Sequence, residues 1–188
     1  TEQNITDLET LLKPFGVELP AELLPQSLNL RTAVSGDLEQ LSLMDISAEV
    51  IDKGINVSLT GAVENVLAPA GITANIPLNS DSVASFSKYA GTELPDLGPL
   101  EATATVVSKD QSYSLESLQA NLSAEVIEAS LTANIADLLA VRGINAELKA
   151  NTDSLSSLSG LAKTELPATD PVSLTATLSG EETDQARL

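Results

Sequence analysis

Glu93-Leu94-Pro95 returns as Glu165-Leu166-Pro167, and Leu100-Glu101-Ala102-Thr103-Ala104-Thr105 returns as Val172-Ser173-Leu174-Thr175-Ala176-Thr177, both 72 residues on. Stepping back by the same 72, Leu100 falls on Leu28, Leu115 on Leu43, Leu131-Thr132 on Leu59-Thr60, Gly143-Ile144 on Gly71-Ile72 and Asp153 on Asp81. Before Leu28 the step becomes 75 (Pro20 to Pro95, Gly16 to Gly91), which places a three-residue length difference near Leu23 to Gln26. A register this steady predicts one supersecondary unit stacked on itself, each copy covering its neighbour's ends. The expected organisation is one continuous body over 1–188. Residues 1–16 end a preceding unit, 17–91 form the first repeat, 92–163 the second, and 164–188 begin a third. On this reading the chain is a slice of a longer array, with any anchor or export signal outside it.

Within each unit the apolar residues recur at every second position. Leu28, Leu30, Thr32 and Val34 alternate with Asn29, Arg31 and Ala33, and Ile55, Val57, Leu59 and Val63 alternate with Asn56, Ser58 and Thr60. Ile72, Ala74 and Ile76 continue the pattern, which marks strands with one oily and one wet face. Leu41-Ser42-Leu43 and Ile46 to Val50 change phase at Met44-Asp45, the mark of a bulge. Asp52-Lys53-Gly54 suits a hairpin turn. The second unit repeats this over Leu100–Val106, Leu118–Ala124, Ile127–Ile135 and Ile144–Leu148. About four strands per unit with short links favour an antiparallel meander.

Each unit is expected to close with a short amphipathic helix. Thr6-Asp7-Leu8-Glu9 has capping-box spacing, with Leu8, Leu11 and Leu12 on one face and Pro14 and Gly16 as stops. The later counterparts are Asp81, Val83, Phe86 and Gly91, then Asp153, Leu155 and Leu158, with Asp7, Asp81 and Asp153 placed to cap. These helices either line the apolar face or shield strand ends, and packing at an edge is the favoured role.

Composition removes whole classes of function. With 9 basic against 27 acidic residues and a net charge of −18, nucleic acid is excluded, and lying flat on an anionic bilayer is disfavoured. His and Cys are both absent, so the commonest general base and every thiolate or zinc-thiolate site are missing. Ser85-Phe86-Ser87-Lys88 has the Ser-x-x-Lys spacing of penicillin-binding enzymes, but its counterpart is Ser157-Leu158-Ser159-Gly160 and no companion motif follows. Asp110 stands alone, and no Asp-x-Asp-x-Asp-Gly calcium loop occurs. The sequons at Asn4, Asn56 and Asn121 carry no further signal. The chain is read as a non-enzyme with no cofactor and no metal.

The apolar mass is aliphatic: aromatics make up 2% and Trp is absent. A compact core leans on rings, so this interior suggests something thin or open. Exposing one large aliphatic side chain costs about 1.5–3 kcal/mol, while burying an acyl chain gains roughly 0.8 kcal/mol per methylene. The candidate wall comprises Leu28, Leu30, Ile55, Val57, Leu59, Ile72 and Ile76 in the first unit. It continues with Leu100, Ile127, Leu131, Ile135, Ile144 and Leu148 in the second, then Val172, Leu174 and Leu178. Alternation alone does not separate an open trough from the closed core of a repeat sandwich, the latter suiting a structural or adhesive stalk.

The runs Ser35-Gly36-Asp37-Leu38-Glu39-Gln40-Leu41-Ser42-Leu43, Val57-Ser58-Leu59-Thr60-Gly61 and Leu94-Pro95-Asp96-Leu97-Gly98-Pro99-Leu100 resemble the repeats of the AsmA family, as does Asp153-Ser154-Leu155-Ser156-Ser157-Leu158. These are AsmA/TamB-like, bridge-like lipid-transfer proteins of the Gram-negative envelope. The resemblance spans nearly the whole chain and rests on composition and cadence. It implies a mostly β fold: a repetitive antiparallel sheet curled into a U-shaped hydrophobic groove (β-taco-like), with one short α-helix per 72-residue repeat. It further implies a periplasmic location, anchored at the inner membrane through an N-terminal helix outside these residues. The implied task is guiding phospholipid acyl chains between membranes and supporting outer-membrane biogenesis, with outer-membrane assembly proteins as further partners.

Overall fold

The computed structural model describes residues 3–4, 25–37, 41–66, 70–109 and 112–180. Nine long strands build one sheet: β2 (Ser27–Gly36), β3 (Leu41–Asp52), β4 (Ile55–Asn65), β5 (Ala70–Ser80), β6 (Leu100–Lys109), β7 (Ser112–Ser123), β8 (Glu128–Asp137), β9 (Arg142–Thr152) and β10 (Val172–Ser179). A two-residue strand, β1 (Gln3–Asn4), lies along β2. Strand order follows chain order from β1 to β10, and every described pairing is antiparallel. The meander and the mostly β class are as the alternation predicts.

Local chemistry fixes the register. Lys53 and Gly54 both take left-handed backbone angles (φ 39 and 83), so Asp52 pairs directly with Ile55 across a two-residue turn. Both angles positive is the combination that matches the right-handed twist of the flanking strands. The phase change at Met44-Asp45 is a register shift between Leu43 and Ile46, with Asp45 at φ 51. Seventy-two residues on, an equivalent shift lies between Leu115 and Leu118. At each site one extra residue is inserted, and Ile46 and Leu118 return to the face of Leu43 and Leu115. Gly71 and Gly143, also 72 apart, share φ values of 64 and 65. At the β8–β9 turn the Asp137 carboxylate accepts from the Leu139 and Ala140 amides and pairs with Arg142 at 3.0 Å.

The helical segments are shorter than expected. Val83–Phe86 is a 3-10 turn running into a single α-turn, α1 (Ser87–Ala90), ended by Gly91 at φ 65. Leu155–Leu158 and α2 (Ser159–Ala162) repeat this, ended by Lys163 at φ 51. The caps are also one residue later than predicted. Ser82 and Ser154, not Asp81 and Asp153, hold the extended cap conformation and accept from the Ala84 and Ser156 amides. Thr6, Asp7, Leu8, Leu11 and Leu12 lie outside the described residues, as does Asp110. Strand bounds also shift: β6 runs on to Lys109, β7 begins at Ser112, ahead of the bulge, β8 begins at Glu128, after Ile127, and β9 extends from Arg142 to Thr152, beyond the expected Ile144–Leu148 at both ends.

The first helical segment sits over the β3–β4 turn: the Asp81 amide donates to the Gly54 carbonyl at 2.9 Å. A Cβ on Gly54 would meet Asp81 Oδ2 at 2.9 Å and Ser85 Oγ at 3.3 Å, so the two are in close contact. Edge shielding, the favoured of the two helix roles, is the one this placement serves. Among the described residues Ile55 is the one buried hydrophobic, at 5% exposure. It lies at that strand end rather than in the middle of the sheet. The sheet is thus a single layer without a closed hydrophobic core among the described residues.

Candidate functional site: the aliphatic face

Paired residues on neighbouring strands point to the same side of a sheet, so the register assigns the faces. One row runs Leu28, Val50, Val57, Leu78, Ala102, Ala120, Leu131, Leu148, Ala176, crossing all nine long strands without a polar residue. On one side of it Leu30, Ala48 and Leu59 align, and Ile76, Ala104, Leu118, Ala133, Ala146 and Leu178 continue across β5 to β10. On its other side run Leu100, Leu122, Ala129, Ala150 and Leu174. A further row holds Val34, Leu43, Val63 and Ile72, then Val106, Leu115, Ile135 and Ile144. At about 4.8 Å between strands, nine strands make this face roughly 38 Å wide.

The opposite face is wet. Asn56, Asn79, Glu101, Asn121, Ser130, Lys149 and Thr175 form its corresponding row. Glu49, Glu128 and Glu147 also project there, as does Arg31. The two sequons in described residues, Asn56 and Asn121, fall on strands as predicted, both on this face.

Fifteen of the sixteen residues singled out from sequence lie on the aliphatic face. The exception in position is Ile127, which precedes β8 and closes the β7–β8 turn by accepting from the Ala124 amide at 3.0 Å. Most of the face is half-buried, its side chains shielding one another, and exposure rises at the β10 edge to 55% at Leu174 and 58% at Leu178. Sequence reading missed Leu43, Ile46, Ala48 and Val50 on β3, and Leu115, Leu118, Ala120 and Leu122 on β7. Their strands carry the bulge, which breaks the simple alternation. The 72-residue step from Leu43 to Leu115 was the signal available.

A shallow depression of about 370 Å³ lies on the polar face, between the side chains of Ser117, Gln119, Thr132, Asn134, Asn145 and Glu147. A second, about 250 Å³, lies at the strand ends between the β7–β8 turn and the second helical segment, and includes Ala124, Glu128, Asp153, Ser157 and Val172. Among the described residues no group of three or more His, Cys, Asp or Glu is placed to hold a metal, and no helix is long and apolar enough to cross a membrane.

The strongest polar cluster is at the first helical segment. Asp52, 2% exposed, receives a hydrogen bond from the Tyr89 hydroxyl at 2.7 Å and an ion pair from Lys88, whose ammonium also lies 4.7 Å from the Tyr89 ring centre. Burial pushes the Asp52 carboxyl upward, but the bonds from Lys88 and Tyr89 and the charges of Lys88 and Lys53 outweigh it and hold it below the usual range. The Asp52 bond raises Lys88 above its ordinary value against the opposing effect of burial, and burial with the Asp52 bond raises Tyr89. Lys88, the lysine of the Ser-x-x-Lys spacing, is thus directed at Asp52. No family model, curated protein or solved structure matches the chain.

Proposed function

We propose that the chain is a body of 72-residue repeats whose sheet curls into a U-shaped trough. In this reading the aliphatic face guides phospholipid acyl chains across the periplasm, as the AsmA resemblance implies. One observation carries it: uninterrupted aliphatic rows cross nine strands while a single hydrophobic residue among those described is buried. Left in water, each large side chain on that face forgoes part of about 1.5–3 kcal/mol, which an acyl chain laid along the rows recovers. With neither Trp in the chain nor any ring in these rows, the wall offers a tail no deep lodging, as a conduit requires. The acidic opposite face stays in water and repels anionic headgroups, so lipid is confined to one side. The recurrence of bulges, glycines, caps and helical turns at a 72-residue step supports the repeat.

The test is native mass spectrometry with lipid extraction on the full chain purified from a Gram-negative host, paired with photo-crosslinking. Co-purified phospholipid, crosslinked from a photoreactive residue at Leu131 and not at Thr132, is the expected result. Protein that emerges empty, or crosslinks equally from both faces, overturns the proposal and leaves a structural stalk.

A further inference from the structure

The polar cluster at Asp52 is absent from the second half of the sheet, and it is absent as a set. The residues 72 positions on from Asp52, Lys88 and Tyr89 are Ala124, Gly160 and Leu161. All three partners of the ion pair and hydrogen bond are gone together, although the surrounding backbone is reproduced. The two Ser caps, the 3-10 turn and the α-turn recur, and Ser87 and Ser159 each accept from a connector amide, those of Leu94 and Leu166, at 3.0 Å.

Three other features weaken the second segment. Gly160 stands inside its α-turn, where glycine is a poor helix former, and a Cβ there would touch nothing within 4 Å. Lys163 holds the left-handed stop (φ 51) that Gly91 holds without steric cost in the first. The 250 Å³ cleft at the strand ends lies between this segment's Ser157 and the β7–β8 turn. The corresponding Ser85 and Gly54 of the first segment are in close contact. Other ties are common to both segments: Ser82 Oγ donates to Asp96 and Ser154 Oγ accepts from the Thr169 amide on the connectors, while Ser80 Oγ and Thr152 Oγ1 on the strands donate to the Ser82 and Ser154 carbonyls at 2.9 and 3.1 Å, so the difference rests on the Asp52 cluster and the three features above.

We propose that Asp52, Lys88 and Tyr89 form a latch clamping the segment Val83–Ala90 onto the β3–β4 hairpin, and that the unlatched segment Leu155–Ala162 is the one that swings off the strand ends. The rim of the sheet therefore opens at β7–β8 while it stays shut at β3–β4. This stands independently of what the aliphatic face carries.

Amide hydrogen exchange on the full chain at neutral pH tests it. Residues 156–162 exchange about tenfold or more faster than 84–90, the scale expected when charge-assisted bonds to a buried carboxylate are lost. Asp52→Ala/Lys88→Gly/Tyr89→Leu brings 84–90 up to the rate of 156–162 and leaves β8 and β9 unchanged. Equal protection of the two segments in the unaltered chain overturns the proposal, as does a folded triple variant with 84–90 still protected. Should the triple variant lose its sheet, the reciprocal Ala124→Asp/Gly160→Lys/Leu161→Tyr decides: slowed exchange at 156–162 supports the latch, and unchanged exchange overturns it.

Discussion

Leu131→Asp and Ser130→Asp place the same charge on adjacent residues of β8, one on each face, and their contrast tests the trough most directly. Leu131 is half-buried between Ala120 and Leu148. Full burial of a leucine is worth about 1.5–3 kcal/mol, so roughly half, about 1 kcal/mol, is at stake in folding and about 1 kcal/mol remains for a ligand. A carboxylate there must also be desolvated by any tail crossing it, adding about 2 kcal/mol or more. Lipid binding should fall by about 3 kcal/mol, or roughly a hundredfold, while stability falls by about 1 kcal/mol. Ser130 faces Asn121 and Lys149, so an added aspartate gains a cation for a neighbour and stability stays within about 0.5 kcal/mol. Lipid-to-protein stoichiometry after extraction, beside urea unfolding, reads both quantities. If the two variants retain the same amount of lipid, the face assignment or the ligand is wrong.

Three further outcomes follow from local geometry. Gly61→Ala drives a Cβ to 2.3 Å from the Thr73 carbonyl oxygen, a backbone clash no rotamer relieves, and should cost about 2–3 kcal/mol in urea unfolding. Ala133→Gly, at the position 72 residues on, should cost only about 0.5–1 kcal/mol. Ser82→Ala removes the cap that accepts from the Ala84 amide and should cost about 1 kcal/mol by local exchange, with Asp81→Ala costing less than half of that. Because Asp52 is held below its ordinary value, its contribution is fully present above pH about 3.9 and lost as pH falls through the folded value. Lys88, held above its ordinary value, contributes below pH about 10.4 and loses that as pH rises through its folded value. Protection of 84–90 should therefore be flat between those limits, and Asp52→Ala should abolish the acid step.

The sheet was legible because its determinants are local. Alternation at Ile55 to Val63 gave a strand and its oily side, and the broken phase at Met44-Asp45 gave the bulge. Lys53-Gly54 gave the turn. What escaped depends on partners. Ala102, Ala120, Ala133 and Ala146 look like small filler along the chain, and only cross-strand pairing shows that they complete rows begun by leucines. The caps were misread by one residue because Asp81-Ser82 and Asp153-Ser154 each offer two adjacent cap-forming side chains, and geometry picks the second. Asp52 reads as a turn residue, since its partner Tyr89 is 37 positions away on another element. The useful clue was a departure from the 72-residue step rather than agreement with it.

Each strand lies against the one synthesised just before it, and that arrangement bears on how the molecule comes into being. Hairpins can add one at a time along the growing edge, like teeth of a zip, with no piece held waiting for a distant mate. Loop-closure entropy stays small at every step, which favours quick assembly for a structure made mostly of strands. An unfolded chain threaded through a narrow pore could regain its shape as it emerges, end first.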